Sequence, residues 1–114
     1  MLRSPKIYYF LKMELKVKIL DIAMNLNRIG NWAADDFERQ QKRIYLFLDQ
    51  TSNYLNSIKQ KEIPSKIKTI FKKFLNEYSF LEKEAKQGPK DRILWAEKMM
   101  TWGNILTHRS QLIK

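Results

Sequence analysis

The fold is decided between Pro64 and Pro89, where the chain reads PSKIKTIFKKFLNEYSFLEKEAKQGP. Apolar residues recur there at steps of three and four, the spacing of one helix face; they are Ile67, Ile70, Phe71, Phe74, Leu75, Tyr78, Leu81 and Ala85. Proline suits the first turn of a helix, where its missing N–H would have no partner. Glycine suits the position after a helix because it tolerates positive φ. The stretch therefore predicts a helix over residues 64–87, ended by Gly88 and Pro89.

A second helix is predicted downstream, over residues 90–113. Its apolar stripe consists of Trp95, Met99, Trp102, Leu106 and Ile113. Beside that stripe, small residues recur every seven positions at Ala96, Gly103 and Ser110. Small side chains on one edge let a neighbouring backbone approach closely, which gives Gly103 a packing role although glycine costs a helix about 1 kcal/mol. Three further apolar residues, Leu94, Ile105 and Leu112, lie on a different side, so this helix is either central or part of an interface.

Upstream, the sequence predicts an amphipathic helix over residues 31–61, with Gly30 as the break before it. Its apolar side consists of Ala33, Phe37, Ile44, Phe47, Leu48, Thr51, Tyr54, Leu55 and Ile58. Asn31 is the expected N-cap. Asp35, Asp36 and Glu38 would then place negative charge near the N-terminus, where the helix dipole favours it.

Residues 1–29 fit two kinds of element. Residues 12–19 alternate charged and apolar side chains, as a half-buried strand does. As a helix, the segment would begin at Ser4–Pro5 and place an apolar set on one side: Ile7, Tyr8, Leu11, Leu15, Ile19 and Ile22. We favour the helix, because no other segment predicts a strand; a strand here would have to pair with another chain. Met24 leaves open whether residues 1–23 belong to the working protein.

These elements predict a single all-α domain over residues 1–114, a small up-and-down bundle of three helices and the N-terminal element. The 114 residues include no Cys, which removes disulfide scaffolds, thiolate metal sites and cysteine nucleophiles. We expect no secretory signal, since the apolar run Ile7–Leu11 is short, and therefore a cytoplasmic protein.

Few residues could carry catalysis. His108 is the only histidine, and it has no partner motif. Asp35 and Asp36 are adjacent, so on a helix they point about 100° apart and make a poor metal site. We therefore predict a protein that is not an enzyme, with no cofactor, no metal and no small-molecule substrate.

Two surfaces are candidates for binding. The formal charge is +10, and one edge of the helix over residues 64–87 carries Lys68, Lys72, Lys83 and Lys86 without a carboxylate. Such an edge is able to bind a phosphate backbone without reading its sequence. The second candidate is a protein interface made of apolar residues left outside the core: Tyr45, Leu46, Leu94, Ile105 and Leu112.

The favoured function is a small protein-interaction module, an adaptor or regulatory subunit, that binds a protein partner or a second copy of itself. The alternatives are sequence-independent nucleic-acid binding through the lysine edge and attachment to an anionic membrane surface.

Overall fold

The computed structural model describes residues 14–113 and contains four α-helices in that range. They are α1 (Leu15–Asp36), α2 (Gln41–Asn56), α3 (Ser65–Gln87) and α4 (Arg92–Ser110), with a short 3-10 turn at Gln60–Glu62 before α3. Helices α1 and α2, α1 and α4, and α3 and α4 pack side by side. The structure confirms the predicted all-α helical bundle.

The prediction for the first half of the chain was wrong about where the helices begin and end. Helix α1 continues through Gly30, and the break falls at residues 37–40. The helix predicted over residues 31–61 is therefore the last turn and a half of α1 followed by α2. Asn31 is exposed within α1 and caps no helix. Residues 15–19 are helical rather than a strand, while the predicted Ser4–Pro5 start lies outside the described residues.

Gly30 lies within α1, at a point where α4 approaches the α1 backbone closely. A Cβ atom at Gly30 would lie 2.8 Å from the carbonyl oxygen of Ala96 on α4. At the other end of the contact, a Cβ atom at Gly103 would lie 2.9 Å from the carbonyl oxygen of Ala23 on α1. Each antiparallel helix thus contributes one glycine and one alanine, seven residues apart. The close approach predicted for the Ala96 and Gly103 edge is confirmed, and its partner is α1.

Polar side chains fix the alignment of α1 with α2. The buried Lys18 donates from Nζ to the carbonyl oxygen of Ser57, 3.2 Å away. One turn further along α1, the Tyr54 hydroxyl donates to Asp21 at 2.7 Å. The buried Asn25 donates to both Gln50 (2.9 Å) and Thr51 (3.3 Å). If α2 shifted by one helical turn along α1, these polar groups would lose their partners. The hydrogen bonds therefore select one antiparallel register of the two helices.

The hydrophobic core lies between the four helices and contains the stripe predicted for α4 and most of the one predicted for α3, where Ile70 and Leu75 are only half-buried. Phe74 is fully buried, with its ring centroid 5.5 Å from that of Trp102. The Trp95 indole donates to the carbonyl oxygen of Leu81 at 3.0 Å, and the Tyr78 hydroxyl donates to that of Leu48 at 3.0 Å. These two bonds let large aromatic side chains be buried without an unpaired polar atom.

Asp35 and Asp36 lie in the last turn of α1, not at the start of α2. Asp35 pairs with Arg39 at 2.8 Å, and Asp36 accepts from the backbone N–H of Arg39. Arg92 donates to the carbonyl oxygens of Ala33, Ala34 and Asp35, which are among the last of α1. A cation on these unpaired carbonyl groups is favourable at the negative end of the helix dipole. The predicted role of Asp35 and Asp36 at a helix N-terminus is therefore wrong.

Candidate functional site

An open groove with a volume of about 1080 Å³ lies between α2 and α3. We call it the α2–α3 groove. It is lined by Leu55, Ile58, Gln60, Ile63, Ser65, Lys68, Thr69, Phe71, Lys72, Lys73, Leu75, Asn76 and Ser79. These residues come from the C-terminal end of α2, from the connection that follows it and from the first four turns of α3.

Hydrogen bonds join α2 and α3 at a distance from the connection between them. Tyr45 donates to the carbonyl oxygen of Ala85 at 3.0 Å, and Ser52 donates to Glu82 at 2.9 Å. Between these contacts and the 3-10 turn at Gln60–Glu62, the facing side chains leave open space. Ile63 is buried there and anchors the connection, and Pro64 directs the chain into α3.

The floor of the groove is apolar and reachable. Ile63 and Phe71 are almost fully buried beneath it, whereas Leu55, Ile58 and Leu75 are half-buried and contribute its exposed surface. Apolar side chains that border an open groove gain stability when a ligand removes them from water. The floor is therefore the part of the site that favours an apolar ligand group.

The rim of the groove is polar, and its only charges are positive. Lys68, Lys72 and Lys73 are exposed, and none of the thirteen lining residues is acidic. Lys68 and Lys72 are four residues apart, which places them one above the other on the same side of α3. Beyond them Asn76 and Ser79 continue the rim without charge. The site therefore favours a ligand with both an apolar side and negative charge.

Only half of the predicted lysine edge belongs to the groove. All four lysines are exposed on α3, but only Lys68 and Lys72 line the groove. Lys83 and Lys86 lie farther toward the C-terminal end of the helix. The apolar floor beside the first pair was missed from the sequence, because Leu55, Ile58 and Leu75 follow the same three- and four-residue spacing as core residues.

Two of the five residues predicted to form an apolar interface are only partly exposed. Tyr45 is not a free surface residue, because its ring packs on the core and its hydroxyl bonds α3. Ile105 is also half-buried against the core. Leu46, Leu94 and Leu112 are exposed, by 59%, 46% and 44%. Leu94 and Ile105 are eleven residues apart, about 16 Å along α4, with exposed Lys98 and Thr101 between them.

Aromatic residues form two other surface features. Phe80 on α3 is 63% exposed and lies outside the groove. Between α1 and α2, the half-buried rings of Trp32 and Phe47 meet edge to face at 5.0 Å. The guanidinium groups of Arg28 and Arg43 lie 5.8 Å from the Phe47 and Trp32 ring centroids, respectively. These contacts stabilise the α1–α2 pair at its surface.

Among the titratable groups of residues 14–113, none indicates a second site. A smaller cavity of about 470 Å³ lies beside Asp36, Glu38 and Arg92, but Arg92 is already bonded to the end of α1. Burial raises the pKa of the Tyr78 hydroxyl well above its usual value, which suits its role as a buried donor. Among residues 14–113, no three His, Cys, Asp or Glu side chains form a group that could hold a metal ion. His108 is exposed in the last turn of α4.

Comparison of the chain with protein-family models, with curated proteins and with solved structures gives no match. Within residues 14–113, no helix combines the length and the apolar character needed to cross a bilayer.

Proposed function

We propose that the protein is a non-enzymatic interaction module, and that the α2–α3 groove binds a segment of a partner protein. A single observation carries this proposal: a long open groove with a half-buried apolar floor and a rim whose only charges are positive. Apolar contact area supplies most of the affinity in such grooves, and rim charges select the partner. The proposed site is thus the α2–α3 groove instead of the five apolar residues that the sequence suggested.

The chemistry of the lining residues supports binding rather than catalysis. The lining contains hydroxyl, amide and ammonium groups, with no histidine or carboxylate among its thirteen residues to activate a nucleophile. Binding of nucleic acid or of an anionic membrane stays an alternative, since α3 carries Lys83 and Lys86 in addition to Lys68 and Lys72. Binding of a protein segment in the groove requires the apolar floor, whereas binding of a phosphate surface requires only the lysines.

Photocrosslinking in cells of the natural source tests the proposal. The photoreactive residue p-benzoylphenylalanine is placed at Thr69 or Ser79, both exposed in the groove, and at Thr101 on α4 as the control position. We expect a discrete crosslinked protein from the groove positions and none from Thr101. A further change, Leu75→Gln in the floor, should abolish that product.

The matched control for the floor is Phe80→Gln, which makes the same kind of change on the same helix outside the groove. It should leave the crosslinked product unchanged. Circular dichroism is used to check that each variant keeps its helical content. Products that form equally from all three positions, or that survive Leu75→Gln, would contradict the proposal.

A further inference from the structure

We infer that the occupant of the α2–α3 groove is an acidic amphipathic helix, seated with its apolar stripe on the floor and its carboxylates beside Lys68 and Lys72. This inference rests on the proposed function and names the chemistry of the partner. Three features of the groove carry it: its length, the state of its backbone groups and the arrangement of its charges.

The length of the groove matches a helix of about four turns. Its α3 side extends from Ser65 to Ser79, a separation of fourteen residue steps, which is about 21 Å at the helical rise per residue. A partner helix of about fourteen residues covers that distance. Its apolar residues at steps of three and four would then follow Leu55, Ile58 and Leu75 along the floor.

The walls of the groove favour a helix over an extended peptide. An extended peptide gains its affinity from backbone hydrogen bonds to an open sheet edge. Both walls here are helices, α2 and α3, whose interior N–H and C=O groups already bond within their own helix. An extended peptide would therefore bury backbone groups that the walls cannot pair. A helical peptide satisfies its own backbone and presents only side chains.

The charges of the rim select an acidic helix. No ion pair within residues 14–113 involves Lys68 or Lys72, and no carboxylate lines the groove. Two cations four residues apart on α3 face carboxylates at the same spacing on a helix that packs alongside. Each partly exposed pair is expected to change affinity about two- to fivefold, so the two together give about tenfold. The charged end of the rim lies near Ser65, and the uncharged end lies near Ser79.

The test measures fluorescence anisotropy of a labelled eighteen-residue designed peptide on addition of the full chain. The peptide carries leucines at helical steps of three and four, with glutamates on both sides of that stripe. A second peptide has every glutamate replaced by glutamine, and a third has lysine in those places. Labelled oligothymidylate and vesicles of phosphatidylglycerol and phosphatidylcholine are the comparison probes for a phosphate surface.

We expect the glutamate peptide to bind about tenfold more tightly than the glutamine peptide, and the lysine peptide to bind worst. The double variant Lys68→Glu, Lys72→Glu should lose at least tenfold in affinity for the glutamate peptide and should gain affinity for the lysine peptide. The matched control is Lys83→Glu, Lys86→Glu, which makes the same charge change on the same helix outside the groove. It should change the affinity less than twofold.

Several outcomes would overturn the inference, and they differ from failure of the proposed function. If the glutamate and glutamine peptides bind equally and both are lost on Leu75→Gln, the groove binds proteins but its rim does not select acidic ones. If no peptide binds while groove-specific crosslinking succeeds, the occupant is not a helix of this kind. If oligothymidylate or vesicles bind, and both double variants weaken that binding equally, the lysine edge of α3 binds phosphate groups. If peptides and crosslinking both fail, the proposed function fails as well.

Discussion

Adding one methyl group at Gly103 tests the contact that places α1 against α4. The new Cβ atom would lie 2.9 Å from the carbonyl oxygen of Ala23 and 2.7 Å from the amide nitrogen of Asn27, closer than non-bonded carbon normally approaches either. The Asn27 side chain can move only by giving up its 3.2 Å bond to the same carbonyl oxygen. The carbonyl belongs to the backbone of α1, so the two helices must separate locally.

Two opposing free energies decide the result of Gly103→Ala. Alanine is a better helix former than glycine and gains about 1 kcal/mol. Overpacking a closely packed site costs about 1–3 kcal/mol. Because a backbone atom has to move, we take the upper part of that range, about 2–3 kcal/mol. The net loss in the free energy of unfolding is then about 1–2 kcal/mol, or roughly a 4–8 °C fall in Tm for a domain of this size.

Urea and thermal unfolding followed by circular dichroism measure this loss. The matched control is Asn104→Ala, because Asn104 is the next residue on α4 and is exposed. It should be neutral or should stabilise by about 0.5 kcal/mol, since asparagine is the weaker helix former. A Gly103→Ala variant at least as stable as the unmodified protein would refute the reasoning, because the missing Cβ would then not set the helix distance.

Three further changes test the fold. Burial raises the folded-state pKa of Tyr78, so this tyrosine loses its proton first in the unfolded chain, near pH 10. The stability that the protonated hydroxyl contributes is therefore present below pH 10. Above pH 10 the free energy of unfolding falls by up to about 1.4 kcal/mol per pH unit. Urea unfolding at pH 9 and 11 should therefore show a smaller decline for Tyr78→Phe than for the unmodified chain, and equal declines would contradict this. Trp95→Phe removes the bond to Leu81 and leaves a cavity, so it should lower the free energy of unfolding by about 2 kcal/mol; unchanged stability would count against that bond. Arg92→Met removes the cation from the end of α1 and should cost about 1 kcal/mol in urea unfolding, whereas Lys90→Met, at an exposed neighbouring position, should cost almost nothing.

Helix α3 was predictable because the sequence contains both its periodicity and its ends. Helix α4 was predictable from its periodicity, although it ends at Ser110 and not at residue 113. Gly88 has a φ of +83°, a conformation that glycine adopts readily, so its local sequence and its structure agree. At Gly30, in contrast, the local sequence and the structure disagree. Its place inside α1 depends on Ala96, sixty-six residues away, and no local pattern reveals that contact.

The alternation at residues 12–19 misleads for a related reason. In the described part of that stretch, Lys18 is buried in α1, and its ammonium group reaches the carbonyl oxygen of Ser57. A charge that pairs across two helices has the same sequence pattern as a charge on the exposed face of a strand. The distinction depends on how α2 lies against α1.

The candidate site was predictable only in part. Lys68 and Lys72 stand out in the sequence because no carboxylate neutralises their edge of α3. The apolar floor does not, since Leu75 and Leu55 have helical spacing whether a neighbouring helix covers them or leaves them open. Tyr45 shows the converse: its position off the main apolar stripe suggested a free surface, but its hydroxyl reaches α3.

The most direct test of the groove is a map of where a partner peptide binds. Amide chemical shifts of the ¹⁵N-labelled full chain are recorded during titration with the designed glutamate peptide. We predict that the largest changes fall on Leu55, Ile58, Lys68, Lys72 and Leu75, with little change at Lys83, Lys86 or on α4. Changes centred on Lys83 and Lys86, or on the exposed Leu94 of α4, would contradict the assignment of the groove as the binding surface.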